Sequence, residues 1–180
     1  SIKIANDNFY TSVLSSYASY IDMNAGFCGD RSSLNSQSGA GTGIVTTYNK
    51  GYLRVVESSP SLICENESDL YTVSSSSQGN KALMYPIGLI TADEVILSGT
   101  GGGVFDGNYS YQKTNPNGYL TIGNSYWTMT PVGGYNPFVL TGWGSSVFGV
   151  GTSGYLDDFG STSSLGLRSV INLRSDVTIT

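Results

Sequence analysis

The adjacent carboxylates Asp157 and Asp158, the cysteines Cys28 and Cys64, and the turn Asn115-Pro116-Asn117 are the residues whose types and spacing bear on chemistry. Neighbouring residues on a strand point to opposite faces, so Asp157 and Asp158 do not make the facing acid and base that glycoside hydrolysis requires. The chain has no histidine. That removes the commonest general base, the Ser-His-Asp triad and the usual zinc ligand. The two cysteines have no further sulfur or imidazole beside them; they allow either one disulfide or two buried thiols, and they argue against a zinc site. If bonded, they close a loop worth about 3–4 kcal/mol. The acidic group Glu65, Glu67 and Asp69 matches no calcium-loop spacing and reads as solvated surface. The expectation is a protein that is not an enzyme and uses neither metal nor cofactor.

Binding chemistry is better supplied. Residues 153–164 are almost entirely Ser, Gly, Thr, Asp, Tyr and Phe. This is the composition of a contact surface, in which aromatic rings give rigid area and small polar residues give adaptable hydrogen bonds. Tyr155 and Phe159 are the expected anchors, with Asp157, Asp158, Ser161, Thr162 and Ser163 as polar contacts. Tyr135, Asn136 and Phe138 stand in the glycine- and proline-punctuated loop "VGGYNPF", and Trp143 lies between two glycines. Aromatic residues exposed on such loops commonly mark contact sites. The competing reading is a plain surface hairpin, because β-turns favour the same small residues. Trp127 is expected in the core, and Arg168 in an ion pair or on loop carbonyls.

These residues need a scaffold. The chain has 180 residues, suiting one domain over 1–180. Charged residues make up 12% against about 25% in an average domain, whereas hydrophobic residues reach 39%, enough for a core. The net charge is −5 and the eight Lys and Arg are scattered, which argues against a nucleic-acid face. No apolar run is long enough for a membrane span. Low charge with abundant Ser, Thr, Asn and Gly suits an extracellular, β-rich protein.

Asp7 or Asn8 is expected to cap a helix over "NDNFYTSVLSSYASYI", with Phe9, Val13, Leu14, Tyr17 and Tyr20 as its core stripe. Residues 24–50 read as a long polar connection pinned near Phe27 and Cys28, and "GYLRVV" as a short strand. Residues 82–90 read as an apolar strand with Pro86 at a bend. Thr91 and Glu94 then form a capping box, Val95, Ile96 and Leu97 give the buried side of a short helix, and Gly99 ends it. Strands follow in "YLTIGNSYWTMTP", "PFVLTGWG", "SSVFGVG", "GYLDD" and "LGLRSVINL". Helices segregated from a run of strands mean α+β.

The segments "YPIGLITADEVILSG", "SYWTMTP" and "LGLRSVINLRSDVTI" resemble a family of Firmicutes and prophage-associated surface proteins. The early "AGFCGDRS" and "DLYTVSSSSQGNKAL" fit the same family. The resemblance implies a C-type lectin-like fold, with two helices, twisted antiparallel strands and long irregular loops, related to the sulfatase-modifying-factor type. It implies a C-terminal display module of a longer protein, at a cell surface or on a virion, that binds a protein or glycan ligand. The variable proteins of diversity-generating retroelements, of the phage tropism-determinant type, share this plan: a variable region followed by a constant strand. Every residue type in 153–164 is reachable from Asn codons by adenine mutagenesis, and Trp143 would be a fixed residue in that scheme. Calcium-dependent lectins carry Glu-Pro-Asn and Trp-Asn-Asp signatures; Asn115-Pro116-Asn117 lacks the leading acid, and no Trp-Asn-Asp occurs. Two alternatives stay open: a structural or assembly domain, including a homo-oligomer or one joined to N-terminal domains, and a sulfatase-modifying-factor-like enzyme. The latter places its reactive cysteine late in the chain, unlike Cys28.

Overall fold

The structure, a computed structural model, describes residues 1–32, 48–101, 115–133 and 146–178. It contains helices and antiparallel strands, an α+β arrangement. The first helical segment begins earlier than expected. Its α-helical part, α1 (Ile2–Phe9), is capped by Ser1, whose hydroxyl accepts from the Ile4 N–H; it continues as a π-turn to Leu14 and a 3₁₀ stretch to Tyr20. Asp7 and Asn8 are therefore interior, not caps.

The core stripe of this helix is also rotated from the expected one. Tyr10 is buried, stacked on Tyr85 at 4.8 Å, and Leu14 packs with Ile21 and Ile87. Phe9, Val13, Tyr17 and Tyr20 instead face solvent. Of the expected stripe only Leu14 packs inward; contact with the 85–87 and 171 segments selects the side carrying Tyr10.

Residues 50–56 are a helix, α2 (Lys50–Val56), and not the strand expected of "GYLRVV". Tertiary contacts outweigh the β-branched composition. Gly51 lies so close to β4 (Tyr126–Gly133) that a Cβ would fall 2.5 Å from Thr130 Cγ2, Val55 is fully buried, and Arg54 reaches two acids. The short helix α3 (Ala92–Leu97) forms as expected. Thr91 Oγ1 accepts from the Glu94 N–H while Glu94 accepts from the Thr91 N–H at 2.7 Å, and Gly99, at φ +72°, ends the turn. Val95 is buried and Ile96 packs on the core, but Leu97 is exposed.

The strands are short. β1 (Phe27–Cys28) pairs with β2 (Leu70–Tyr71), and β3 (Gly88–Leu89) with β7 (Ser169–Val170). The expected long strands at 82–90 and 165–173 are thus reduced to two paired residues each, flanked by isolated bridges: Val73–Leu83, Tyr126–Gly166 and Ile21–Leu173. Leu167 and Leu173 are exposed and Val170 is half-buried, so 165–173 is not an ordinary core strand. The main sheet is β4, β5 (Ser146–Val150) and β6 (Leu156–Gly160), antiparallel in that order. β4 is irregular between Trp127 and Gly133, with Pro131 inside it, and the Thr128 hydroxyl donates to the Phe148 carbonyl at 2.7 Å.

Register sorts this sheet into two faces. Tyr126, Val150 and Leu156 stand in one cross-strand row and are buried with Phe148 against Val55, Ile90 and Val95. Trp127, Gly149 and Asp157 stand in the next row and point to the other face. Trp127 is buried there, as expected of a core residue, whereas Asp157 and Phe159 on the same face are half-buried.

Candidate functional site

The expected contact residues at 155–163 fall on β6 and the turns at its two ends. The turn entering β6 depends on glycine. Gly154 sits at φ +83°, and a Cβ there would lie 2.3 Å from Thr121 Oγ1. The Tyr155 ring lies against Gly151, where a Cβ would fall 2.2 Å from its Cζ. Tyr155, Asp157 and Phe159 share one face of the strand. Phe159 meets Trp127 edge to face, centroids 6.2 Å apart, above Gly149; a Cβ on Gly149 would lie 2.8 Å from Phe159 and 3.0 Å from Leu165. Phe159 is thus partly committed to packing. The turn leaving β6 closes through Ser163 N–H to the Gly160 carbonyl at 2.8 Å, and Ser161, Thr162 and Ser163 are exposed.

Asp157 and Asp158 point to opposite faces, yet they communicate: Asp157 Oδ1 accepts from the Asp158 N–H at 2.9 Å. Burial pushes both carboxyls above the ordinary aspartate range. The Asp158 N–H pulls Asp157 partly back, and the Asp158 charge pushes it up again. Arg168 finds neither of its expected partners among the described residues; its guanidinium sits 5.6 Å from the Tyr126 ring centroid. The remaining expected contacts, Tyr135, Asn136, Phe138 and Trp143, lie outside the described residues.

A second grouping was not foreseen. Arg54 grips Asp93 with two bonds, Nε to Oδ1 at 2.7 Å and Nη2 to Oδ2 at 2.9 Å, and its Nη2 also donates to Asp30. Bonds to Asp93 above all, then to Asp30, hold the guanidinium firmly charged against its burial. Ser61 N–H adds a bond to Asp93 at 2.9 Å. Beside these groups is a cavity of about 250 Å³, roofed by residues 61–64. Cys28 and Cys64 are joined as a disulfide, which ties that roof to β1. Cys28 consequently offers no free thiol.

The acidic group expected on the surface is in part elsewhere. Asp69 is buried and holds Arg31 through Nε at 2.8 Å, while Glu65 pairs with Lys50. Asp30 and Asp93 were legible only as members of "CGDRS" and "ITADE"; nothing local announces that Arg54 joins them across 24 and 39 residues. Among the described residues, no cluster of three or more His, Cys, Asp or Glu could hold a metal ion. No described helix is long and apolar enough to cross a membrane. Comparison with family models, curated proteins and solved structures yields no match to this chain.

Proposed function

We propose that this chain is a ligand-binding module with a C-type lectin-like fold, displayed outside the cell on a surface or virion. It recognises a protein or glycan through β6, the turn after it and residues 135–143, and is not an enzyme. One observation carries the reading. The exposed Ser161, Thr162 and Ser163 follow directly on the half-buried Asp157 and Phe159 of a strand that pairs on one side only among the described residues, with the half-buried Tyr155 at the turn that enters it. Aromatic area beside adaptable hydroxyls on a rigid sheet is the chemistry of a recognition surface. The disulfide supports an oxidising compartment, and the helices, antiparallel strands and irregular connections support the lectin-like class.

The test is binding of the purified chain to immobilised glycan panels and to intact bacterial cells. Alanine at Tyr155, Ser161, Thr162 and Ser163 together is expected to abolish any selective binding while leaving the fold intact. Binding that survives this variant refutes the assignment of the face. Sequencing the gene across one growing population tests diversification: the reading expects variation confined to codons 135–164, with 165–173 constant.

A second reading, an assembly domain, is favoured by the outward side of the first helical segment, which shows Phe9, Val13, Tyr17 and Tyr20 to solvent. No charged residue lies between Asn8 and Ile21, so a second copy meets this stripe without like-charge repulsion. A specific interface needs more than about 1,000 Å² of buried surface, so contacts beyond this stripe would have to join it. Sedimentation equilibrium expects a concentration-dependent dimer that Tyr17→Glu disrupts; a monomer at all concentrations rules it out.

A further inference from the structure

Asn66, Glu67 and Ser68 spell Asn-x-Ser with x other than Pro, the acceptor motif for N-linked oligosaccharide. The tripeptide also occurs by chance, so local geometry has to decide. A usable acceptor is an exposed, fixed asparagine amide whose nitrogen is free and whose second neighbour brings its hydroxyl back to the amide.

Asn66 meets these conditions. It is exposed, in the connection between α2 and β2. It starts the 3₁₀ turn Glu67–Asp69, and its Oδ1 accepts twice from Ser68: from the N–H at 3.0 Å and from the hydroxyl at 2.9 Å. Two donors on one carbonyl oxygen draw electron density from the amide and make its N–H protons easier to lose. Its Nδ2 donates no hydrogen bond among the described residues and so stays open to an electrophile. The disulfide anchors the chain two residues earlier, at Cys64, and suits the oxidising compartments of exported proteins. A separate observation points the same way. Leu62 and Ile63 lie four and three residues before Asn66 and are 70% and 74% exposed. Adjacent aliphatic side chains left in water are a liability, and a bulky, solubilising oligosaccharide rooted at Asn66 has the reach to cover them. A second motif, Asn108-Tyr109-Ser110, lies outside the described residues.

We infer that Asn66 is a site of N-linked glycosylation, the donor being an oligosaccharide on a polyprenyl diphosphate. Asn66 Nδ2 attacks the anomeric carbon of the first sugar. The bond from that carbon to the diphosphate oxygen breaks, an N-glycosidic bond forms, one amide proton passes to a base of the transferase, and the polyprenyl diphosphate leaves. The inference rests on the extracellular placement proposed above and not on which ligand β6 binds.

The experiment is peptide mass spectrometry, with fragmentation that retains sugars, on the chain isolated from its native source. A sugar mass on Asn66 is expected, and its own peptide separates it from Asn108. The state of Cys28 and Cys64 is read in the same sample. Bare Asn66 beside an intact disulfide overturns the inference and leaves the extracellular placement standing; bare Asn66 with both thiols free overturns the two together. A second arm gives the purified, disulfide-intact chain to an oligosaccharyltransferase with its lipid-linked donor. Ser68→Ala is an exposed change that keeps the backbone N–H on Asn66, and it is expected to abolish transfer to Asn66. Ser68→Thr, which restores the hydroxyl, is expected to retain it. No transfer to Asn66 of the unaltered chain, or transfer that survives Ser68→Ala, overturns the inference.

Discussion

Phe159 stands edge-on to Trp127, ring centroids 6.2 Å apart and planes at 82°. An expected contact residue is therefore also a structural one. Phe159→Ala should cost about 2 kcal/mol, the burial of a partly covered ring. Ser161→Ala and Thr162→Ala in the neighbouring turn should each change stability by less than about 0.5 kcal/mol. Urea unfolding of the three variants separates packing from display. An unchanged midpoint for Phe159→Ala would mean that the ring contributes no packing.

Arg54 holds Asp93 and Asp30 between α2, α3 and the segment after β1. Removing one member of such a group strands the others' charges. Arg54→Met should destabilise the chain by about 3–5 kcal/mol. Arg54→Lys keeps the charge but not the planar two-bond grip on Asp93, and should fall between Met and the native residue. Chemical denaturation checks the ranking; equal losses for Lys and Met would make the geometry irrelevant.

Cys28 and Cys64 are 36 residues apart. Closing a loop of that length removes about 4 kcal/mol of unfolded-state freedom in the chain-entropy view. The Cys28→Ser, Cys64→Ser double variant should lose most of that, as seen by guanidinium unfolding. Because residues 61–64 lie over the cavity, hydrogen exchange should rise first there and around β1. Uniform acceleration across the main sheet would contradict this.

Asp157 and Asp158 are held above the ordinary aspartate value of 3.8, first of all by burial. The folded chain keeps these protons more tightly than the unfolded one. Stability therefore falls as pH rises from the ordinary value through the raised one, and stays lowered above it. Asp157→Asn and Asp158→Asn should raise the melting temperature at about pH 7 and leave it unchanged at about pH 3, where both carboxyls are protonated in either state. Calorimetry at the two pH values checks this; an equal gain at both would show that charge is not the cause.

What could be read from the sequence follows the range of the interactions involved. The Thr91–Glu94 capping box spans three residues and was legible, as were β5, β6 and the glycine turn between them, where alternation and Gly151 and Gly154 carry the signal locally. Trp127 in the core followed from its strand. The α+β class followed from element order. The helical state of 50–56 did not, because it rests on Gly51 fitting against Thr130 and on Arg54 meeting acids 24 and 39 residues away. Periodicity pointed to a stripe through Phe9, Val13, Leu14, Tyr17 and Tyr20, and packing on Tyr85 and Ile87 buried Tyr10 instead.

The sequence by itself determined the supply of chemistry: no imidazole, two cysteines, few charges, and a run of small polar and aromatic residues at 153–164. Tertiary structure alone decided where that chemistry is placed. It set Phe159 against Trp127, closed Cys28 onto Cys64, and gathered Asp30, Arg54 and Asp93 beside a cavity. Residue type fixes what a side chain can donate, accept or bury. Which partner it meets depends on chain segments far apart in sequence, and those are brought together only by folding.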